Sequence, residues 1–230
     1  YAHLLNQGKV PDFQAESVQD CCFIPTHSAQ ETLEQIKKLV NHSLPDAGYD
    51  PLVDIQILTP MNKGDLGTIT MNRSIQSLLN PGADKSRVVN NNKFGKNDKV
   101  IQLCNNYDLS VFNGDIGYVQ SLDTDGARLT INYKGRLVHY DDEQSYQVNL
   151  AYAITIHKSQ GSEFPVVIIP LHMQHYIMLQ RNLIYTALTR AKKIAIFVGD
   201  LKVLRLAVEN NHALKRQSQL IRYINGSLDH

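Results

Sequence analysis

The sequence predicts an α/β protein, a parallel sheet flanked by helices with a small antiparallel β-barrel inserted in it. Two observations carry this. Apolar strand-like runs at 20–24, 53–59, 165–170 and 193–199 alternate with segments of helical period, the βαβ signature of a parallel sheet. Between 100 and 140 the pattern changes to short strands, VIQLC, IGYVQSL, ARLTINY and RLVHY, separated by Asn113-Gly114, Asp125-Gly126 and Lys134-Gly135, which are hairpin-turn dipeptides. Parallel βα signals lie on both sides of this block, so it reads as an insertion. The expected organisation is 1–84 for the first part of the main domain, 85–146 for the barrel and 147–230 for the second part.

Composition bounds the chemistry. With 230 residues, 43% hydrophobic and 20% charged, the chain can bury one good core. A net charge of +1 excludes a global positive field, so any nucleic-acid contact must come from a local basic track. Cys21, Cys22 and Cys104 match neither a zinc spacing nor a disulfide framework. Buried, reduced thiols in a cytoplasmic protein are expected. Asp141, Asp142 and Glu143 sit on a turn and point apart, so they read as a solvated face, and no metal site is expected. No signal peptide or apolar run of about 18 residues is present, so no membrane partner is expected. The chain begins at Tyr1, which reads as a piece of a longer protein.

In chain order, 1–13 is a short amphipathic segment broken at Gly8 and Pro11. DCCFI is a short buried strand, and Ser28 with Glu31 makes a capping box for a helix to about His42. LPDAGYDP is a turn-rich loop, and VDIQILT the next strand. The loop LTPMNKGDLGTITMN (58–72) carries Thr59, Lys63, Gly64 and Gly67 into a helix burying Met71, Ile75, Leu78 and Leu79. Its glycines would let a phosphate approach the backbone, and Lys63 adds a charge. It is not a G-x-x-x-x-G-K-[ST] loop, which occurs nowhere in the chain. Residues 80–98 read as a hydrophilic linker with Lys85, Arg87, Lys93 and Lys96. After the barrel a strand is expected over 147–157, then 165–170, then a helix ending at Arg190, then 193–199. Asp200 caps a helix with Leu201, Leu204 and Val208 inward, and ALKRQSQLIRYI is one more short helix.

The functional signal lies in AYAITIHKSQGSE (151–163) and LIYTALTRAKK (183–193). Strand alternation puts Thr155, His157 and Ser159 on one face, a row of donors suited to phosphate oxygens. Lys158 reads either as a phosphate contact or as a solvated cation. Gly161 permits a tight turn and Glu163 presents a carboxylate before FPVVIIPL. In the second stretch Leu183, Ile184, Ala187 and Leu188 form the buried stripe and Arg190 lies off it.

TIHKSQGSE followed by YTALTRAKK resembles motifs V and VI of superfamily-1 helicases, closest to the RecD/TraA branch, whose exodeoxyribonuclease V alpha chains give the family one of its names. The resemblance implies a RecA-like second motor domain of the P-loop NTPase type, carrying a Src-homology-type barrel. It further implies that Arg190 is the arginine finger for ATP and that Gly161 and Glu163 bind the nucleotide. Thr59, Lys63, Asn72, Thr155, His157, Lys158 and Ser159 would hold single-stranded DNA by its backbone. Mg²⁺ and the rest of the ATP site would come from the first motor domain of the same protein, a partner alongside subunits of a nuclease complex. Without a Walker A loop the chain alone is expected not to hydrolyse ATP. The alternative is a non-catalytic nucleic-acid-binding module working through the barrel and the basic linker at 85–96.

Overall fold

The computed structural model describes residues 1–13, 20–81, 87–89, 92–122 and 129–210. Its strands are β1 (Cys21–Pro25), β2 (Ile55–Thr59), β3 (Arg87–Val89), β4 (Asn92–Phe94), β5 (Lys99–Gln102), β6 (Ile116–Leu122), β7 (Leu129–Tyr133), β8 (Arg136–Tyr140), β9 (Val148–Leu150), β10 (Ala153–Thr155), β11 (Phe164–Leu171) and β12 (Ala191–Gly199). The helices are α1 (Ala2–Asn6), α2 (Ala29–Lys38), α3 (Leu44–Asp46), α4 (Thr68–Leu79), α5 (Asp142–Ser145), α6 (Arg181–Leu188) and α7 (Leu201–Glu209).

One five-stranded sheet, in the order β1-β12-β11-β2-β10, is parallel throughout. Strict alternation along its central strands feeds two cores. Val166 and Ile168 of β11 and Ile55 and Ile57 of β2 face one layer with α2 and α4 residues. Val167 and Ile169, with Leu58, face the other, where Leu183 and Ile184 of α6 and Leu204 and Val208 of α7 pack. Ser28 Oγ accepts from the Glu31 N–H at 3.1 Å, but the Glu31 carboxylate takes the His27 N–H at 2.7 Å and not that of Ser28. The helix also runs past His42 through one wide turn, Leu39–Ser43, into α3, so the expected loop at 44–51 begins as helix. Asp200 caps α7 as expected, accepting from the Lys202 N–H at 2.8 Å. Leu201 stays half-buried, and Val203 and Ala207 join Leu204 and Val208 inside.

The second five-stranded sheet, in the order β8-β7-β6-β5-β9, is antiparallel. Its β7–β8 hairpin turns on Lys134 (φ 52) and Gly135 (φ 93), the two left-handed residues of a type I′ turn. The expectations for the linker and for 147–157 need correction. The linker contains the β3–β4 ribbon, and Phe94 and Asp98 are fully buried at its end. The strand expected at 147–157 is two strands in different sheets: β9 closes the antiparallel set and β10 edges the parallel one. A tight helical turn, Ile156–Ser159, then replaces the expected strand end. Lys85 and the segment from 213 onward lie outside the described residues, as do Asp125-Gly126. Cys21 is buried and Cys22 half-buried, while Cys104 is exposed, against the expectation of buried thiols. Among the described residues no helix is long and apolar enough to cross a membrane, and no group of His, Cys, Asp or Glu could hold a metal ion.

Asp98 joins the two sheets. Its buried carboxylate accepts from the Asn80 side chain at 2.7 Å, the Gly95 N–H at 2.7 Å and the Tyr152 hydroxyl at 2.9 Å, and also from Gln76. Donors from α4, the barrel entrance and the approach to β10 thus converge on one residue.

Candidate functional site

The expected site residues separate into two groups at opposite ends of the parallel sheet. Thr155 pairs with Thr59 at the carboxyl ends of β10 and β2, where Lys63, Asn72, His157 and Lys158 gather. Phe164 pairs with Ala191 at the amino ends of β11 and β12, which places Gly161, Ser162, Glu163 and Arg190 there. The segment 156–163 crosses from one end to the other. Loops at carboxyl ends are the usual ligand sites of parallel sheets, so the second group departs from that rule.

At the amino end, Arg190 follows the last turn of α6 and precedes β12. Its Nη1 donates to the Ser162 carbonyl at 3.2 Å, Nε to the Thr186 carbonyl at 3.3 Å and Nη2 to Thr189 Oγ1 at 3.4 Å. Its own carbonyl accepts from the Phe164 N–H at 2.8 Å. Among the described residues no carboxylate pairs with this guanidinium. Glu163 is exposed and meets Lys192 at 3.5 Å. Gly161 has φ +82, and a side chain there would meet nothing within 4 Å. An open cavity of about 770 Å³ runs from Gly161, Ser162 and Glu163 to Lys134 and Arg136 of the barrel hairpin, with Lys99 among its walls.

At the carboxyl end, the loop 60–67 folds back on α4. The Thr68 and Ile69 N–H groups donate to the Met61 carbonyl at 3.1 Å and the Asn62 carbonyl at 3.2 Å. Two of the amides at the helix start are therefore already paired within the loop. Gly67 is needed for close approach, since a Cβ would lie 2.5 Å from the Asn62 and Lys63 carbonyl oxygens.

Three expected contact residues point inward. Thr59 Oγ1 donates to the Leu66 carbonyl at 2.7 Å and Ser159 Oγ to the Ile156 carbonyl at 2.7 Å. Asn72 Nδ2 donates to the carbonyls of Leu150 at 3.1 Å and Ala153 at 2.9 Å, while its Oδ1 accepts from the Ala153 N–H at 2.8 Å. All three are buried. The expected row of Thr155, His157 and Ser159 fails because 156–159 is helical and not extended. Exposed at this end are Lys63, His157 and Lys158. Thr155 is also buried, and it reaches the surface only where it and Lys158 line one small polar crevice with Asn62 and Asn149. Partial burial pulls the Lys158 amine below its usual range.

Residues 150–198 match the UvrD-like helicase C-terminal domain, a span holding β10, β11, most of β12 and the Arg190 site. Residues 71–133 match the SH3 domain of ATP-dependent RecD-like DNA helicases, a span holding most of α4 and the chain from β3 through β7. Both matches make the chain similar to the C-terminal region of RecD-type helicases. The chain is 38% identical over 168 residues to the ATP-dependent RecD2 DNA helicase of Deinococcus radiodurans, covering 73% of this chain and 23% of that one. The RecBCD enzyme subunit RecD of Mycobacterium tuberculosis is 29% identical over 163 residues, 71% of this chain and 28% of that one. The RecD-type region thus spans about a quarter of the length of these relatives. The likeness to solved structures is looser: Bacteroides Pif1 bound to single-stranded DNA aligns over 98% of this chain and 49% of that chain, at 20% identity and a TM-score of 0.45.

Sequence reasoning missed the supports of this site. Thr186 and Thr189, which hold the guanidinium, lie in the quoted motif and could have been found from their helical spacing to Arg190. Asp98 and Lys99 had no local signal, because their partners lie on other elements. Arg181 also went unremarked; it ties α6 to the chain ends of α7 and α1 through the carbonyls of Val208 at 2.6 Å and Asn6 at 3.4 Å.

Proposed function

We propose that this RecD-type region is the second motor domain of an ATP-dependent DNA helicase, and that Arg190 is its arginine finger. The observation that carries the reading is a guanidinium with no carboxylate partner among the described residues, seated against Ser162 beside the exposed Glu163. Its three hydrogen bonds, at 3.2 to 3.4 Å, are long for their kind. Each can be exchanged for a shorter, charge-assisted bond to a phosphate oxygen. The residues fit one side of a nucleotide: a fixed cation for the γ-phosphate, a carboxylate for ribose hydroxyls, and open space at Gly161. Bound ATP supplies the phosphoryl group, and its Mg²⁺, held by a first motor domain outside these residues, supplies counter-charge.

At the other end of the sheet, Lys63, His157 and Lys158 grip the single-stranded DNA backbone with Thr155. Thr59, Asn72 and Ser159 set the shape of the loops that carry them. Because 156–163 runs from the DNA end to the nucleotide end, opening and closing against the first motor domain moves both sites together. Subunits of a nuclease complex are further partners on this reading. The 230-residue chain alone does not turn over ATP.

The test is Arg190→Ala in the full-length protein. DNA-stimulated ATPase should fall by on the order of 10³-fold or more, with single-stranded DNA affinity within about threefold of wild type. Wild-type turnover in this variant would sink the reading.

A further inference from the structure

We propose that Lys99, a residue of the inserted barrel, is the positioning residue that holds the first rung of β11 and β12 and thereby sets Arg190. The inference rests on the reading of Arg190 above. Lys99 opens β5 and is 1% exposed. Its Nζ leaves the barrel and donates to the Ile55 carbonyl at the start of β2, at 3.0 Å. The same atom lies 5.7 Å from the centroid of the Phe164 ring, at the start of β11, within the range of a cation–π contact. Both partners stand at the amino end of the parallel sheet, on the side where Arg190 sits.

Phe164 is the link. It directly follows Glu163, and its N–H donates to the Arg190 carbonyl at 2.8 Å. The β11–β12 register then shifts between Phe164 and Val166: Phe164 pairs with Ala191, whereas Val166 pairs with Ile194. The rung carrying Arg190 is therefore cut off from the regular ladder behind it. It is held by the Arg190 side-chain bonds to Ser162, Thr186 and Thr189 on one side, and on the other by core packing of the Phe164 ring together with its contact to Lys99. Burial pulls the amine down to about 7, while Asp50 and Asp54 favour its charge. The barrel is thus coupled to the nucleotide end of the motor sheet through one side chain.

The experiment uses the full-length protein with Lys99→Met, which keeps an unbranched apolar chain one atom shorter and removes the charge, and Phe164→Leu, which removes the ring. A finger acts on the transition state and not on ground-state binding. Lys99→Met should therefore lower kcat for DNA-stimulated ATP hydrolysis by roughly fivefold, the size expected of one such contact, with KM for ATP and single-stranded DNA affinity within about twofold. Phe164→Leu should match it, and the double variant should lose no more than either alone. A kcat within about twofold of wild type in Lys99→Met, or equal losses in kcat, KM and DNA affinity, would overturn the proposal. If Lys99→Met does not fold, Phe164→Leu is read by the same criteria and decides. Arg190→Ala, measured alongside, separates the two readings. Retained turnover there removes the arginine finger itself, whereas loss there with normal Lys99→Met removes only the positioning role.

Discussion

Arg190 grips the 162–164 tip twice, its side chain reaching the Ser162 carbonyl at 3.2 Å and its main-chain carbonyl receiving the Phe164 N–H at 2.8 Å. The first bond aims the guanidinium and the second fixes where its backbone starts β12. Only the forked geometry of arginine reaches Ser162, Thr186 and Thr189 at once.

Arg190→Lys therefore separates charge from shape. It keeps a cation but cannot make the forked contact, so ATP turnover in the full-length protein should stay at least tenfold below wild type, on the order expected for a lost directional donor. Folding stability should change by less than about 1 kcal/mol, because the residue is only half-buried and its bonds are long. Steady-state ATPase assays and urea unfolding check the two parts; a fully active lysine variant would show that charge alone suffices.

Asp98 is the stability keystone. Asp98→Ala strands the donors of Gln76, Asn80, Gly95 and Tyr152, most of them in the interior. The expected cost is roughly 3–5 kcal/mol, read as a fall in the urea midpoint at unchanged slope. Tyr152→Phe removes one of these bonds and should cost about 1 kcal/mol.

His175 gives the fold an acid limit. It is fully buried, with no hydrogen-bond partner at Nδ1, and burial, with His172 nearby, pushes it down to about 4 from an ordinary 6.5. The unfolded chain binds the proton first as pH falls, so stability is intact above about pH 6.5 and is lost progressively between there and about pH 4. The loss amounts to roughly 2–3 kcal/mol. Thermal unfolding across that window should show the slope, and His175→Leu should remove most of it.

Lys63 and Lys158 should act as point charges on a backbone, without base preference. Each change to alanine should weaken single-stranded DNA binding equally across sequences and flatten the slope of log K against log salt by about 0.7. Thr59→Ala and Ser159→Ala should leave that slope unchanged, since their hydroxyls are spent on Leu66 and Ile156 carbonyls. Binding titrations at several salt concentrations distinguish the two sets.

What could be read along the chain was whatever depends on neighbours in sequence. An unbroken apolar run marked β11 as a buried strand, Ser28 and Asp200 announced helix starts, and Lys134-Gly135 announced a hairpin whose left-handed dihedrals the structure bears out. The wording of 155–163 and 183–193 was enough for the family. Periodicity misled at 147–157, because alternation does not say which sheet a strand joins or where it turns into a helix.

The amino-acid order by itself determined the strand and helix alphabet, the interruption by an antiparallel block and the membership of Arg190 and Glu163 in recognisable motifs. Only the tertiary structure decided that Thr59, Asn72 and Ser159 turn inward, that the two groups of expected site residues occupy opposite ends of one sheet, and that Lys99 reaches from the barrel to Phe164. The physical reason is that capping and period are satisfied within a few residues. A buried polar group instead takes whatever partner the packed fold brings near, and for Lys99 that partner lies 44 positions away, at Ile55.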